Sequence, residues 1–221
     1  MARAEFQLDL RAVRGALVDM TATAAGAIAN ATTALLDQDM AAAQCTAEAD
    51  RALEEARLGV EHRAYQLLAL QQPVAGDLRE LVSAIKVSAD LRRMGSLAHH
   101  IAKVAQRRHP AAAVPADLRA TFTRMGAVAE RIVDGAGVAL EGRDATDAAR
   151  LAIDDDAMDG LRRTLFRALL AGWPHGVEDA INVALLGRYY ERFADHAVAV
   201  AQSVVYVVTG TLTGEHPEPL H

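Results

Sequence analysis

The sequence predicts an all-α protein of six helices, arranged as two tandem, pseudo-symmetric antiparallel three-helix bundles. Three observations carry that prediction. Apolar residues recur in alternating steps of three and four; two long stretches repeat at an offset of 105; and a third pair of stretches repeats at an offset of 99. A 52% hydrophobic content with only 4% aromatics and six prolines suits helices packed closely through small side chains.

The first stripe runs Phe6, Leu10, Val13, Leu17, Met20, Ala24, Ala27, Ala31 and Leu35, which keeps one face of a long helix apolar. The rhythm returns at Leu118, Phe122, Met125, Ala129, Ile132, Ala136 and Leu140. Val13/Leu118, Leu17/Phe122, Met20/Met125 and Leu35/Leu140 share one offset, 118 − 13 = 105. It continues into a second helix through Asp50/Asp155, Leu53/Met158, Glu54/Asp159, Val60/Leu165 and Ala64/Leu169. Asp39 and Asp144, related by the same offset, read as N-caps of that helix, because a carboxylate there accepts free N–H groups of the first turn.

The third helices align Val87, Leu91, Met94, Ala98, Ile101 and Ala105 with Leu186, Tyr190, Phe193, Ala197, Val200 and Val204, at 186 − 87 = 99. The shortening falls in the turn before the helix, Gln71-Gln72-Pro73 in one copy and Trp173-Pro174 in the other. Each proline is expected near the first helical position, where its missing N–H does no harm. The expected division is 1–109 for the first repeat, 110–115 for a Pro/Ala linker, 116–209 for the second repeat and 210–221 for a loose polar tail. Faces as long as these helices suit protein docking.

A formal net charge of −6 argues against a general nucleic-acid binder, and the basic run Arg107, Arg108, His109 is too short to reverse that. Cys45 is the only cysteine, which excludes an intramolecular disulfide and a Cys-based zinc site. Glu5 and Asp9 interrupt the N-terminal region where a secretory signal would be apolar, so a cytoplasmic location is expected. The uncharged segment His196–Gly214 is broken by Gln202 and Ser203 and reads as buried helix rather than a span.

With that organisation in place, Leu67-Leu68-Ala69-Leu70-Gln71-Gln72-Pro73-Val74-Ala75-Gly76-Asp77-Leu78-Arg79 resembles the second-to-third-helix signature of the PhoU family of phosphate-signalling proteins. Ala89-Asp90-Leu91-Arg92-Arg93-Met94-Gly95-Ser96-Leu97-Ala98 and Arg188-Tyr189-Tyr190-Glu191-Arg192-Phe193-Ala194-Asp195-His196-Ala197 are similar to its two third-helix motifs. The likeness extends from Phe6 to Thr209 and looks closest to the actinobacterial branch. It implies a cytoplasmic accessory to the Pst phosphate transporter that docks on the transporter ATPase subunit and on a sensor histidine kinase. Such a protein reaches the membrane through its partners, and it negatively regulates the phosphate-starvation response and phosphate uptake. A homodimer is expected and an enzyme is not. The alternative is a carboxylate metal-binding helical-bundle enzyme or a metal-storage-like protein, but the only Glu-x-x-His spacing, Glu218 to His221, lies in the tail.

The family's third helices carry an acidic pair four residues apart that binds iron, zinc or other divalent ions, and the resemblance places Glu191 and Asp195 in that role. Asp155, Asp156 and Asp159 of the preceding helix converge on them if the two helices are antiparallel neighbours. Plain ion pairing with Arg188 and Arg192 is the competing reading. In the first repeat Arg92 and Ser96 replace the expected acids, so that metal site is expected to be lost. His99 and His100 point about 100° apart on a helix, which predicts one half-buried and one solvated ring. Arg93 and Arg192 are expected to pair with Glu54 or Glu55 and with Asp159, or else to meet a partner. Gln72, Pro73, Asp77 and Arg79 are candidate partner contacts at a bundle end, and Trp173 reads as a packing plug.

Overall fold

A computed structural model describes residues 2–211, and within them the side chains of 3–146, 151 and 155–211. The tail from 212 onward, including Glu218 and His221, lies outside the described residues. The chain runs α1 (Ala2–Asp37), α2 (Met40–Gln71), α3 (Ala75–Arg108), a single 3₁₀ turn (Ala116–Leu118), α4 (Arg119–Gly142), α5 (Ala145–Leu170) and α6 (Val177–Thr209). Every described element is helical, as the periodicity requires.

The turns between the first and second helices repeat along with the helices they join. Gln38 and Arg143, 105 apart, both adopt positive φ, 58° and 53°. Each is followed by a capping aspartate. Asp39 Oδ1 accepts from the N–H groups of Ala41 at 2.8 Å and Ala42 at 3.0 Å, and Asp144 Oδ1 accepts from Thr146 N–H at 2.7 Å. The left-handed residue ends one helix and the carboxylate starts the next.

The proline turns differ in detail from the expected placement. Pro73 stands two residues before α3, with Val74 as its N-cap, and Pro174 stands three before α6, with Gly176 as its N-cap. In the first turn Gln72 and the opening residue of α3, Ala75, have φ values of 46° and 49°, and in the second Gly172 has a φ of 91°, so each proline sits inside a reversal rather than in the helix that follows.

Within each half the three helices pack pairwise, and the halves join through α1 against α4 and α3 against α6. All seven residues of the Leu118 stripe and all nine of the Phe6 stripe are buried, as are both aligned sets in α3 and α6. They form one continuous apolar core. The α1–α4 join is close because glycines lie in it: a Cβ on Gly126 would fall 2.7 Å from Thr32 Cγ2, and one on Gly137 would fall 2.6 Å from Thr21 Oγ1. Thr21/Gly126 and Thr32/Gly137 are each separated by 105, so α1 and α4 cross about a pseudo-two-fold axis on which threonine meets glycine twice. Tyr190, fully buried on α6, reaches into this join and bonds Thr32 Oγ1 at 2.8 Å.

α3 and α6 run antiparallel. Asp90 meets His196 at 2.9 Å, the ring of His100 lies 5.3 Å from that of Tyr189, and Arg108 bonds Glu178 and Asp179 at 3.0 Å each. Positions on the two helices therefore sum to about 286, which brings Arg93 level with Phe193 and next to Arg192. No helix among the described residues is long and apolar enough to cross a membrane.

Candidate functional site

The acids singled out in the second repeat lie on the neighbouring helices α5 and α6. Glu191 is buried. Its Oε1 is 3.2 Å from an Arg162 guanidinium nitrogen, and its Oε2 is bonded by Arg188. Arg162 also lies over the Phe166 ring, 5.2 Å from its centroid, so the cation is held on both sides. Asp155 and Asp159 are half-buried, and Asp156 and Asp195 are exposed.

Two of these carboxyls titrate above the ordinary aspartate range. Asp155 is raised by burial, then by the negative charges of Asp195, Asp159, Asp156 and Glu191. Asp195, though exposed at its rim, is raised by partial desolvation and by Glu191, against the opposing pull of Arg188, Arg192 and His196. The negative charges of the α5 and α6 acids thus act on one another across the helix pair, with desolvation the larger cause at both.

As the side chains stand, a metal does not fit Glu191, because both of its oxygens are taken by guanidinium groups. Among the described residues no three His, Cys, Asp or Glu side chains are arranged to hold a metal ion. Asp155, Asp156, Asp159 and Asp195 make no ion pair among the described residues.

The first repeat fills the equivalent place differently. Arg92 Nε donates to Glu54 Oε2 at 2.9 Å and another guanidinium nitrogen of Arg92 donates to Ser96 Oγ at 2.7 Å. Ser96 in turn donates to Asp50 Oδ1 at 3.1 Å, and Asp50 Oδ2 meets His99 Nδ1 at 3.0 Å. Arg57 joins Glu54 to Glu61 on the same helix. Glu54 is consequently held down at about 2, by its hydrogen bonds from Arg57 first and Arg92 second.

Arg57 and Arg162 are 105 apart and Arg92 and Glu191 are 99 apart, so the two networks occupy equivalent places with one cross-helix ion pair reversed. In the first half the third helix supplies the cation, Arg92 to Glu54. In the second it supplies the anion, Glu191 to Arg162. Arg57 and Arg162 were not among the expected residues, although the shared offset could have found them.

The expected pairing of Arg93 and Arg192 is not what forms. Glu54 is taken by Arg92 and Arg57, and both Arg93 and Arg192 are exposed with no ion pair among the described residues. Adjacent helical positions differ by about 100° in direction, so Arg92 faces α2 and Arg93 cannot. His99 is half-buried on Asp50 while His100 is exposed at the helix surface, as the spacing predicts.

At the bundle end Gln72 is exposed, and Pro73, Asp77 and Arg79 are half-buried. Asp77 accepts from Gln7 Nε2 of α1 at 3.5 Å, and Arg79 packs on Gly210 at the end of α6. Trp173 packs partly against the core and donates its indole N–H to Gly176 O at 3.0 Å, which pins the turn before α6. Cys45 is an exposed thiol.

Comparison with known proteins decides the family. The sequence profile of the PhoU domain matches twice, over residues 17–105 and 122–204. The chain belongs to the PhoU family. A phosphate-specific transport system accessory protein of Mycobacterium tuberculosis H37Rv, PhoU homolog 1, is 44% identical over 96% of this chain and 97% of its own length. PhoU homolog 2 of the same organism is 43% identical over 94% and 98%. Crystal structures of PhoU from Pseudomonas aeruginosa (TM-score 0.84, 28% identity, 93% of this chain and 100% of that one) and from Streptococcus pneumoniae (0.85, 22%, 95% and 100%) have this fold. The two profile matches coincide with the two halves related by offsets 105 and 99. The closeness to mycobacterial homologues agrees with the actinobacterial character of the motifs.

Proposed function

We propose that this PhoU-family protein is a phosphate-responsive docking regulator that links the ATPase subunit of a phosphate ABC transporter to a sensor histidine kinase, restraining the phosphate-starvation response and phosphate uptake. The observation that supports the reading most is end-to-end similarity to proteins named as accessories of the phosphate-specific transport system. The fold supports it: long helices on a single core present stiff faces to partners, and the α2–α3 face is crossed by ion pairs centred on Glu54, as the α5–α6 face is by those of Glu191. A partner shifts the kinase or transporter equilibrium only by binding its two states with different affinity. The working site is in the cytoplasm, at the membrane through partners, with the protein as a homodimer. Affinity purification from phosphate-replete and phosphate-starved cells tests this. Recovery of the ATPase or the kinase that differs between the two conditions is expected, and recovery of neither from intact protein overturns it.

A second element of the reading is a divalent ion, iron or zinc, on the α5–α6 face, supported by the raised carboxyls of Asp155 and Asp195, whose repulsion a cation relieves. Asp155, Asp159 and Asp195 would supply its oxygen ligands after rotating toward one another. Equilibrium dialysis with zinc, comparing the natural protein with Asp195→Asn, tests it. Equal metal content in the two removes the site.

A further inference from the structure

We infer that the outward face shared by α3 and α6 docks an acidic amphipathic helix of a partner protein. The inference rests on the docking function above and adds the place and the chemistry of the contact.

The chain is acidic overall, yet no acidic residue occurs between Asp90 and Asp117. Its only two lysines, Lys86 and Lys103, both lie on α3. Lys86, Arg93, His100 and Arg107 follow one another at seven-residue steps, and Lys103 adds a cation one turn before Arg107. A seven-residue step drifts only about 20° around a helix, so these side chains form a row on the side opposite the buried set. The row spans roughly 31 Å at about 1.5 Å per residue.

These charges are unspent. Arg92 and Arg108, next in sequence to Arg93 and Arg107, are bonded to acids of other helices. Lys86, Arg93, Lys103 and Arg107 are exposed and make no ion pair or hydrogen bond among the described residues. The antiparallel crossing sets Arg93 beside Arg192, another exposed cation with no ion pair among the described residues, so like charges face outward together where the two repeats meet. Partial desolvation, and next Lys103, hold the His100 imidazole below its ordinary range, and the permanent charge of the row is carried by the lysines and arginines.

The row is bordered by apolar surface. Ile181 is 54% exposed and Leu185 39% exposed on α6, one turn apart, and the contacts of Arg108 with Glu178 and Asp179 and of His100 with Tyr189 place them beside Lys103 and Arg107. A ligand for this face needs carboxylates at helical repeat spacing next to aliphatic side chains, which is the pattern of an acidic amphipathic helix. An anionic lipid surface would match the charge but not the seven-residue spacing.

The test uses the full-length protein and a fluorescent synthetic helical peptide with leucine on one face and glutamate at seven-residue intervals beside it. Anisotropy should show binding that weakens as salt is raised. Combining Lys86→Glu, Arg93→Glu and Arg107→Glu should weaken it by about tenfold or more with helicity unchanged by circular dichroism. The same three positions changed to Gln should give an intermediate loss, and a lysine-for-glutamate peptide should prefer the reversed-charge protein. No binding at low salt, or equal binding by all proteins, overturns the assignment. It is also overturned if only phosphatidylglycerol vesicles respond to the substitutions, or if the only effect is loss of self-association. Recovery of the transporter ATPase or kinase by the reversed-charge protein as by the natural one would leave the docking function standing and remove this face from it.

Discussion

Thr32 Oγ1 stands between two partners: it donates to Ile28 O at 2.8 Å and receives the hydroxyl of fully buried Tyr190. Burial pushes the Tyr190 phenol far above its usual range, with the Thr32 bond opposing, so the side chain stays neutral and its one bond crosses from α6 to α1. Tyr190→Phe keeps the ring and removes that bond, and chemical denaturation should report a loss of about 1 kcal/mol. Glu54 shows the opposite electrostatics. Its carboxyl, held at about 2 by Arg57 and Arg92, gains stability from the fold that is fully present above its ordinary value near 4.5 and lost as pH falls through about 2. Arg92→Ala should therefore destabilise the protein at neutral pH by no more than about 1 kcal/mol. The difference from the natural protein should shrink to nothing in acid denaturation curves taken below the folded titration point.

At the level of the helix pair, α5 and α6 carry an electrostatic cost that α2 and α3 do not. Asp155 and Asp195 are raised, so the folded state holds their protons more tightly than the unfolded chain. Stability falls as pH rises from the ordinary aspartate range through the raised values and stays lower above them. Asp195→Asn should raise the melting temperature at neutral pH and leave it unchanged in acid below the ordinary range. A melting temperature lowered by the substitution at neutral pH would show that the carboxylate is engaged rather than repelled. The helices were visible in the sequence because they depend on spacing: stripes such as Phe6–Leu35 and the offsets of 105 and 99 survive translation into three dimensions, whereas the acids of α5 and α6 stood out through the resemblance to the PhoU third-helix motif. The same spacing predicted the Asp39 and Asp144 caps. What stayed hidden was partner choice. Position 92 against position 93 is a difference of 100° in direction, and only the seat of α2 beside α3 shows that Arg92 takes Glu54. Pro73 stands further ahead of its helix than expected beside left-handed residues at Gln72 and Ala75, and a run of amino-acid types does not announce a positive φ outside glycine.

Across the whole molecule the repeats are joined at two places, and each has a pseudo-two-fold character that the sequence carried only as arithmetic. Thr21 against Gly137 and Thr32 against Gly126 set how near α1 and α4 approach, while α3 and α6 meet through Asp90–His196 and Arg108–Asp179. Because one apolar core runs through both halves, separating the repeats would expose buried surface on α1, α3, α4 and α6 together. Calorimetry should accordingly give one cooperative transition, with equal calorimetric and van't Hoff enthalpies; two resolved transitions would mean that each half is stable alone. Gly126→Ala probes the same join. Its new Cβ would meet the stiff, doubly bonded Thr32 at 2.7 Å, and such overpacking costs about 1 to 3 kcal/mol, more than the gain of roughly 1 kcal/mol that alanine brings over glycine in a helix interior. Gly59→Ala on α2, where an added Cβ meets nothing within 4 Å, should show that helical gain uncompensated. Opposite signs for the two substitutions in urea denaturation would locate the tight contact at the α1–α4 crossing, and a shared sign would mean that the helices can slide apart there without loss.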